Sequence, residues 1–445
     1  MSVTAAERPS RPAFQGPSIH QVRRMRLRGR RAWRLLVVIA AAVAGGALAV
    51  LFAKLCDLAG GLHASWAARW PLAVLVLPPV VMPLAVWLTL RFAPEAGGSG
   101  IPQVIAASEE ARRGQSDSRV SLKTAAFKML VAAALLAAGM SIGREGPTVQ
   151  IVAALVFAFT ARLRGGPHPR TLLIAGGAAG VAAAFNTPIA GVVFAVEELA
   201  KGFERRASTV VILVVVAAGA AAYAMAGNYS YFGEIRGSRA LLSAWMTAPI
   251  VGVVGGLAGG AFSKALASVL GPDKGPVGRF RLRRPLVFAL ICGLATSAVA
   301  FASHGLSYGT GYQEASSLLQ GHPVRAIVLA LSKWAANLAA AATGAPGGIF
   351  SPSLATGAGI GGAIGEFVPF AASRDSVVLG MAAYLSGVVQ APLTSAIILM
   401  EMTRDPGLVG PLMASSLIAR LVSGRIIREP VYHVLSLAWR RRGQA

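Results

Sequence analysis

Acidic residues are scarce in this chain: 18 Asp and Glu stand against 42 Lys and Arg among 445 residues, and charged residues together make up only 13%. Soluble domains carry about a quarter charged residues, so an ordinary soluble fold is excluded. Cysteine is scarcer still. Cys56 and Cys292 fit no C-x-x-C or metal-ligand spacing, which excludes a disulfide framework and leaves both as packing residues. The six histidines, at 20, 63, 168, 304, 322 and 433, lie outside or at the ends of apolar runs, and no H-E-x-x-H or Walker A run occurs. A metalloprotease and an ATP-driven pump therefore drop out. One G-x-S-x-G string spans Gly139 to Gly143, but it lacks the histidine base and the strand-to-helix elbow that would make Ser141 a nucleophile. Ser141 reads as a small residue packing helices. No enzyme, cofactor or metal site is expected.

What is present in excess is apolar length. Hydrophobic residues make up 55% of the chain, mean hydropathy is +0.62, and apolar stretches recur from 35–56 and 71–90 through 171–196, 208–227, 243–270, 285–303 and 376–402 to 406–423. About 20 such residues span a bilayer. The chain is therefore expected to be an all-α polytopic membrane protein. With 51 Gly and 25 Pro, several helices should be tilted, partial or broken, a state tolerated only where protein or a watery cavity satisfies the backbone. The runs 35–56 and 71–90 read as a hairpin whose outer loop holds Asp57 and His63, and Asn228 to Arg239 reads as a second outer loop.

The excess of basic charge is placed at the ends of apolar runs. Nine arginines lie in residues 1–34, and further basic residues sit at Arg112 to Lys123, Arg162 to Arg170, Lys201 to Arg206, Lys274 to Arg284 and Arg440 to Arg442. This is the positive-inside pattern, so both termini read as cytoplasmic. The arginine run fits a tail held near anionic lipid rather than nucleic-acid binding. The organisation expected is a basic tail over 1–34, a transmembrane domain over 35–435 and a short basic tail over 436–445.

Within this apolar chain, Gly143-Arg144-Glu145-Gly146-Pro147 places two charges inside a stretch running from about Met129 to Phe157. A carboxylate at membrane depth costs roughly 2.5–3.5 kcal/mol, which makes Glu145 a functional residue by default. Lys128 reads either as a snorkelling helix-end lysine or as a buried positive charge favouring anions. The pair Glu197-Glu198, read alone, is a solvated juxtamembrane end. The remainder of the chain repeats the design: Gly309-Thr310-Gly311-Tyr312 echoes Gly98-Ser99-Gly100-Ile101, and Gly348-Ile349-Phe350-Ser351-Pro352 echoes the run around Glu145. Two inverted halves, about 30–230 and 240–435, follow from this echo. Helix starts after Ser99, Glu145 and Phe350 would each aim backbone N–H groups at an anion without a full positive charge to trap it.

The runs GSGIP at 98–102, GREGP at 143–147 and GIFSP at 348–352 resemble, in order and spacing, the three signature motifs of the CLC family of chloride channels and chloride/proton antiporters. The resemblance extends to Phe185-Asn186-Thr187-Pro188, Ala391-Pro392-Leu393-Thr394 and Pro430-Val431-Tyr432. It implies an inverted repeat of tilted and broken helices and a homodimer with one pore per subunit. It also implies a central anion held by the hydroxyls of Ser99 and Tyr432 and the N–H groups of Ile349 and Phe350, with the backbone of Arg144 and Gly146 beside the outer site. Glu145 would be the gating and proton glutamate, and Glu198 the internal proton glutamate, which reverses the bland reading of that acid. Ser99 is the residue associated with chloride preference. The function implied is chloride/proton antiport in the inner (plasma) membrane, with chloride and protons as partners and no cofactor; the alternative is a passive voltage- or pH-gated chloride channel.

Overall fold

The computed structural model describes residues 19–442 apart from 114–118, 162, 164, 201–204, 228–230 and 234–240. These residues form eighteen α-helices, with no strand among them. The first half contains α1 (Ile19–Arg69), α2 (Leu77–Phe92), α3 (Ile101–Arg112), α4 (Leu122–Ala137), α5 (Glu145–Thr160), α6 (Pro169–Phe185), α7 (Pro188–Phe194) and α8 (Arg205–Ala226). The second contains α9 (Leu241–Leu270), α10 (Pro276–Arg283), α11 (Pro285–Ala302), α12 (Tyr312–Gln320), α13 (Ala326–Ala342), α14 (Phe350–Phe367), α15 (Ser373–Val389), α16 (Pro392–Thr403), α17 (Val409–Ile426) and α18 (Val431–Arg442). Six helices are long and apolar enough to cross a membrane. Others are not: α3 and α16 have 12 residues each, a rise of about 18 Å against an apolar core of about 30 Å.

The packing is that of two matched halves. Helix α5 lies on α6 as α14 lies on α15, α6 on α8 as α15 on α17, α1 on α8 as α9 on α17, and α4 on α5 as α13 on α14. Three helices, α2, α5 and α7, touch their own counterparts α11, α14 and α16, so the pseudo-two-fold axis passes between them. In this correspondence α10 and α18 have no counterpart. Close crossings use small residues, because apolar lipid offers helices no hydrophobic gain from associating. On α9, for example, a Cβ at Gly259 would stand 2.7 Å from the backbone of Gly387 on α15. Large apolar side chains such as Leu130, Leu242, Leu331 and Leu421 are instead exposed.

Several expected boundaries move. Helix α1 is continuous to Arg69, so Asp57 and His63 lie on a helix rather than in an outer loop. Nothing in the Ala-rich stretch after Cys56 stops it until Pro71, whose ring disfavours helix at the preceding residue. Residues 19–34, read as tail, are the first part of α1, and 436–442 belong to α18; residues 1–18 and 443–445 lie outside the described residues. The expected runs 171–196 and 376–402 are each two helices, broken at Asn186 (φ 57°) and Gln390 (φ 58°). Asn adopts this left-handed conformation readily, whereas Gln does so less often. Gln390 is pinned by its side chain, which donates to the Ile427 carbonyl at 2.7 Å. The stretch Asn228 to Arg239, read as a second outer loop, lies largely outside the described residues; within it Tyr231 and Phe232 are buried.

The broken helices are capped reciprocally. Glu401 near the end of α16 accepts from Ile189 N at 3.2 Å and Ala190 N at 2.7 Å, at the start of α7. Glu197, in a π-helical turn (Ala195–Leu199) that prolongs α7, accepts from Leu393 N at 3.2 Å, and from Thr394 N and Oγ1 at 2.7 Å each, at the start of α16. Each half thus supplies the carboxylate that satisfies the other half's exposed N–H groups. Glu401→Ala and Glu197→Ala should each lower stability by about 1–2 kcal/mol, read as a lower unfolding temperature in detergent. Wild-type unfolding temperatures in both would refute the cap.

Candidate functional site

The three glycine-rich runs meet at the axis. Gly143 N donates to Gly348 O at 2.7 Å and Gly348 N to Gly143 O at 2.7 Å, the reciprocal pairing that a two-fold axis between two equivalent residues requires. Gly98 joins them: its N–H donates to Gly344 O at 2.9 Å, and its carbonyl accepts from Gly347 N at 3.2 Å. A side chain at Gly146 would run into the Ser99 hydroxyl, and one at Gly100 would stand 2.6 Å from the Gly146 carbonyl. At both positions the absence of Cβ allows the backbones to touch.

The two buried lysines hold this arrangement from equivalent places. Lys128, fully buried on α4, donates to Gly98 O at 2.9 Å. Lys333, fully buried on α13, donates to the carbonyls of Ser307 at 3.1 Å and Gly309 at 2.9 Å, in the loop before α12. Lys128 is therefore buried rather than snorkelling, with its Nζ held by the Gly98 carbonyl. Its ammonium organises the loop that carries Ser99.

Glu145 opens α5, with Arg144 as its cap residue, so the helix begins at the glutamate rather than after it. Its side chain is 1% exposed. Oε2 accepts from Ser351 N, in the first turn of α14, at 3.4 Å, and Oε1 stands 3.9 Å from Arg144 Nε. The Arg144 guanidinium turns outward to Asp57 Oδ1 at 2.6 Å and the Ala53 carbonyl at 3.0 Å. Carboxylate and anion want the same thing here, namely the free N–H groups and positive dipole end of α14.

Ile349 caps α14 and Phe350 is its first residue, so both N–H groups stand where no preceding turn can accept from them. The hydroxyls of Ser99 and Tyr432 approach one another, both are buried, and neither completes a hydrogen bond within the protein among the described residues. Buried hydroxyls are normally satisfied, and an acceptor placed between them would satisfy both. Glu198 is buried on the π-helical turn and, like Glu145, lies within electrostatic reach of Tyr432. All the residues expected at the site are therefore brought to one region, while the neighbouring Glu197 is taken up by the cap on α16.

Cavities reach this region by two routes. One of about 870 Å³ is lined by Lys54, Asp57, His63, Arg144, Tyr231 and Tyr312 among others. A second, of about 310 Å³, ends on Ser99, Ile349 and Tyr432. Glu145 lines neither, although its neighbour Arg144 lines the larger. Sequence reasoning missed the aromatic path that leads in from the larger cavity: Tyr312 to Tyr231 (ring centroids 5.0 Å), Tyr231 to Phe185 (5.5 Å) and Phe185 to Phe350 (5.1 Å). It also missed Asp57, which was legible as the counter-charge that a buried Arg144 demands.

Comparison with known proteins bears on the family and the fold. The family profile described as voltage gated chloride channel matches residues 80–424. An H(+)/Cl(-) exchange transporter ClcA from Yersinia pestis bv. Antiqua (strain Angola) is 30% identical over 435 residues, covering 90% of this chain and 87% of the relative. Among solved structures, a slow cyanobacterial Cl-/H+ antiporter superposes with a TM-score of 0.77 at 24% identity, covering 93% of this chain and 99% of its own. A CLC-type fluoride/proton antiporter superposes at 0.75 with 20% identity, covering 92% and 98%.

Proposed function

That this chain belongs to the voltage gated chloride channel family is the premise from which we propose its function: exchange of chloride for protons across the membrane, with Glu145 as the switch both ions share. The observation that carries the proposal is the Glu145 carboxylate held before the N–H of Ser351 in the first turn of α14, where it competes with an anion for the positive end of that helix. Protonation removes that competition, the side chain leaves, and an anion takes its place. Ser99 and Tyr432 hydroxyls, with the N–H groups of Ile349 and Phe350, hold the central anion; the backbone of Arg144 and Gly146 borders the outer position. Glu198 passes protons between the cytoplasm and Glu145. The Yersinia pestis relative is an exchange transporter, which supports exchange over a passive voltage- or pH-gated chloride channel.

The repeat supports this division of roles. Glu197 and Glu401 cap equivalent helices and occur in both halves, as the fold requires. Glu145 falls opposite Phe350, and Glu198 opposite Met402, so these two acids occur in one half only and are not demanded by the architecture. Each chain carries a complete set of site residues, consistent with a homodimer that has one pore per subunit. The domain over 35–435 sits in the inner (plasma) membrane, with the basic ends, 1–34 and 436–445, in the cytoplasm near anionic lipid.

In reconstituted vesicles a chloride gradient should drive protons uphill. Chloride leak without proton movement would establish the channel instead. Ser99→Pro should raise nitrate preference relative to chloride, because losing one hydroxyl donor hurts a small, strongly hydrated ion more than a larger one. Unchanged relative fluxes in anion-substitution measurements would remove Ser99 from the central site.

A further inference from the structure

Arg144 has two carboxylates within reach and is hydrogen-bonded to only one. Its Nη1 donates to Asp57 Oδ1 at 2.6 Å and to the Ala53 carbonyl at 3.0 Å, both on α1. Toward Glu145 it presents Nε, 3.9 Å from Oε1, and neither of these two atoms completes a hydrogen bond among the described residues. The gate carboxylate accepts instead from Ser351 N at 3.4 Å, longer than a usual N–H···O bond. The contact with Asp57 depends on α1 continuing as helix past Cys56. A helix aims the carbonyl of residue 53 at residue 57, so one guanidinium nitrogen meets both acceptors. The repeat does not demand this pair. Gly143 pairs with Gly348, which sets Arg144 opposite Ile349, and α9, packed on α17 as α1 is on α8, carries no acidic residue. Like Glu145, the pair belongs to one half only.

We infer that Asp57 keeps the gate releasable: by engaging the Arg144 guanidinium it prevents the arginine from clamping the Glu145 carboxylate beside it. An arginine that meets a carboxylate with two parallel N–H donors makes one of the strongest charge-assisted contacts in proteins. Formed between Arg144 and Glu145, that contact would favour the charged gate in its place before α14, and flux would rise only at lower pH. With Nη1 committed to α1, the guanidinium stays near the gate without being aimed at it. Asp57 and Arg144 both line the larger cavity. The other charged or titratable groups lining it are Lys54, Cys56 and His63 on α1, with Tyr231, Tyr308, Tyr312 and Glu314 from other segments. Tyr432 lies within electrostatic reach of Glu145. All of these remain in place in the variants below. Asp57 bonds to Arg144 and not to the gate, so it is a positioning residue, and its role rests on Glu145 being the switch.

The test is chloride and proton flux in reconstituted vesicles, recorded across a range of pH held equal on both faces. Asp57→Ala should move the pH of half-maximal chloride flux down by about one unit and lower flux at neutral pH about three- to tenfold, with the number of chloride ions exchanged per proton unchanged. Asp57→Glu, which keeps the charge, should reverse most of the shift, and Asp57→Asn, which keeps an acceptor alone, should fall between. In a Glu145→Gln background Asp57→Ala should have no further effect, because an amide gives the arginine no charge to clamp and residues acting through one contact are not additive. Flux lowered equally at every pH with an unmoved midpoint marks a structural role and overturns the inference. An Asp57→Ala effect that persists in the Glu145→Gln background overturns it too. Should Asp57→Ala not fold, an unshifted midpoint in Asp57→Asn does the same. A Glu145→Gln variant that keeps its pH dependence removes the reading of Glu145 itself, whereas a flat Glu145→Gln beside a wild-type profile in Asp57→Ala removes the role of Asp57 alone.

Discussion

Glu145→Gln is expected to keep chloride flux at the wild-type order of magnitude while reducing proton coupling to zero and flattening the dependence of flux on pH. The carboxylate lies between two positive features, the N–H of Ser351 at 3.4 Å and the Arg144 guanidinium at 3.9 Å. An amide has nearly the volume of the acid but no charge, so neither feature holds it against a competing anion. Chloride then meets the state that protonation would otherwise produce. The amide also has no proton to exchange, and the second ion loses its carrier. In the wild type, flux should rise as pH falls, since protonation frees the anion position; in the variant that rise should disappear. Proton and chloride fluxes recorded together on the same vesicles decide it. Uphill proton movement by Glu145→Gln would remove Glu145 from its role.

The parts of this site that were legible in the sequence are those where a residue type is costly unless used. A carboxylate in an apolar stretch, prolines just inside helix starts and glycines ahead of them pointed to Glu145, Gly146 and the start of α14 before any contact was known. The repeat was legible for the same reason, since the glycine runs recur. What stayed hidden was settled by packing between segments distant in the chain. The breaks at Asn186 and Gln390 interrupt runs that are apolar on all sides, so no change of period announces them. The lone charges Lys128 and Lys333 could be placed only once the carbonyls they serve, Gly98 and the Ser307–Gly309 loop, were seen. Glu197 and Glu198 are neighbours with opposite fates: the π-helical turn sends Glu197 to the start of α16 and buries Glu198 near Tyr432. No reading of the dipeptide alone separates them.

That separation makes Glu198→Gln the sharpest test of exchange against conduction. If protons pass through Glu198, its amide blocks the relay while the hydroxyls of Ser99 and Tyr432 and the N–H groups of α14 are untouched. Proton flux should fall to background and chloride flux persist. The pH dependence of that chloride flux should also persist, because Glu145 can still be protonated from the outer side; this distinguishes the variant from Glu145→Gln. The neighbouring acid is no substitute. Glu197 has both oxygens committed to Leu393 and Thr394, and moving it would uncap α16. Glu197→Gln should accordingly lower stability with coupling intact, the reverse of Glu198→Gln. Normal coupling in Glu198→Gln would place the proton route elsewhere, and an uncoupled wild type would make the chain a passive chloride pathway in which Glu145 gates alone.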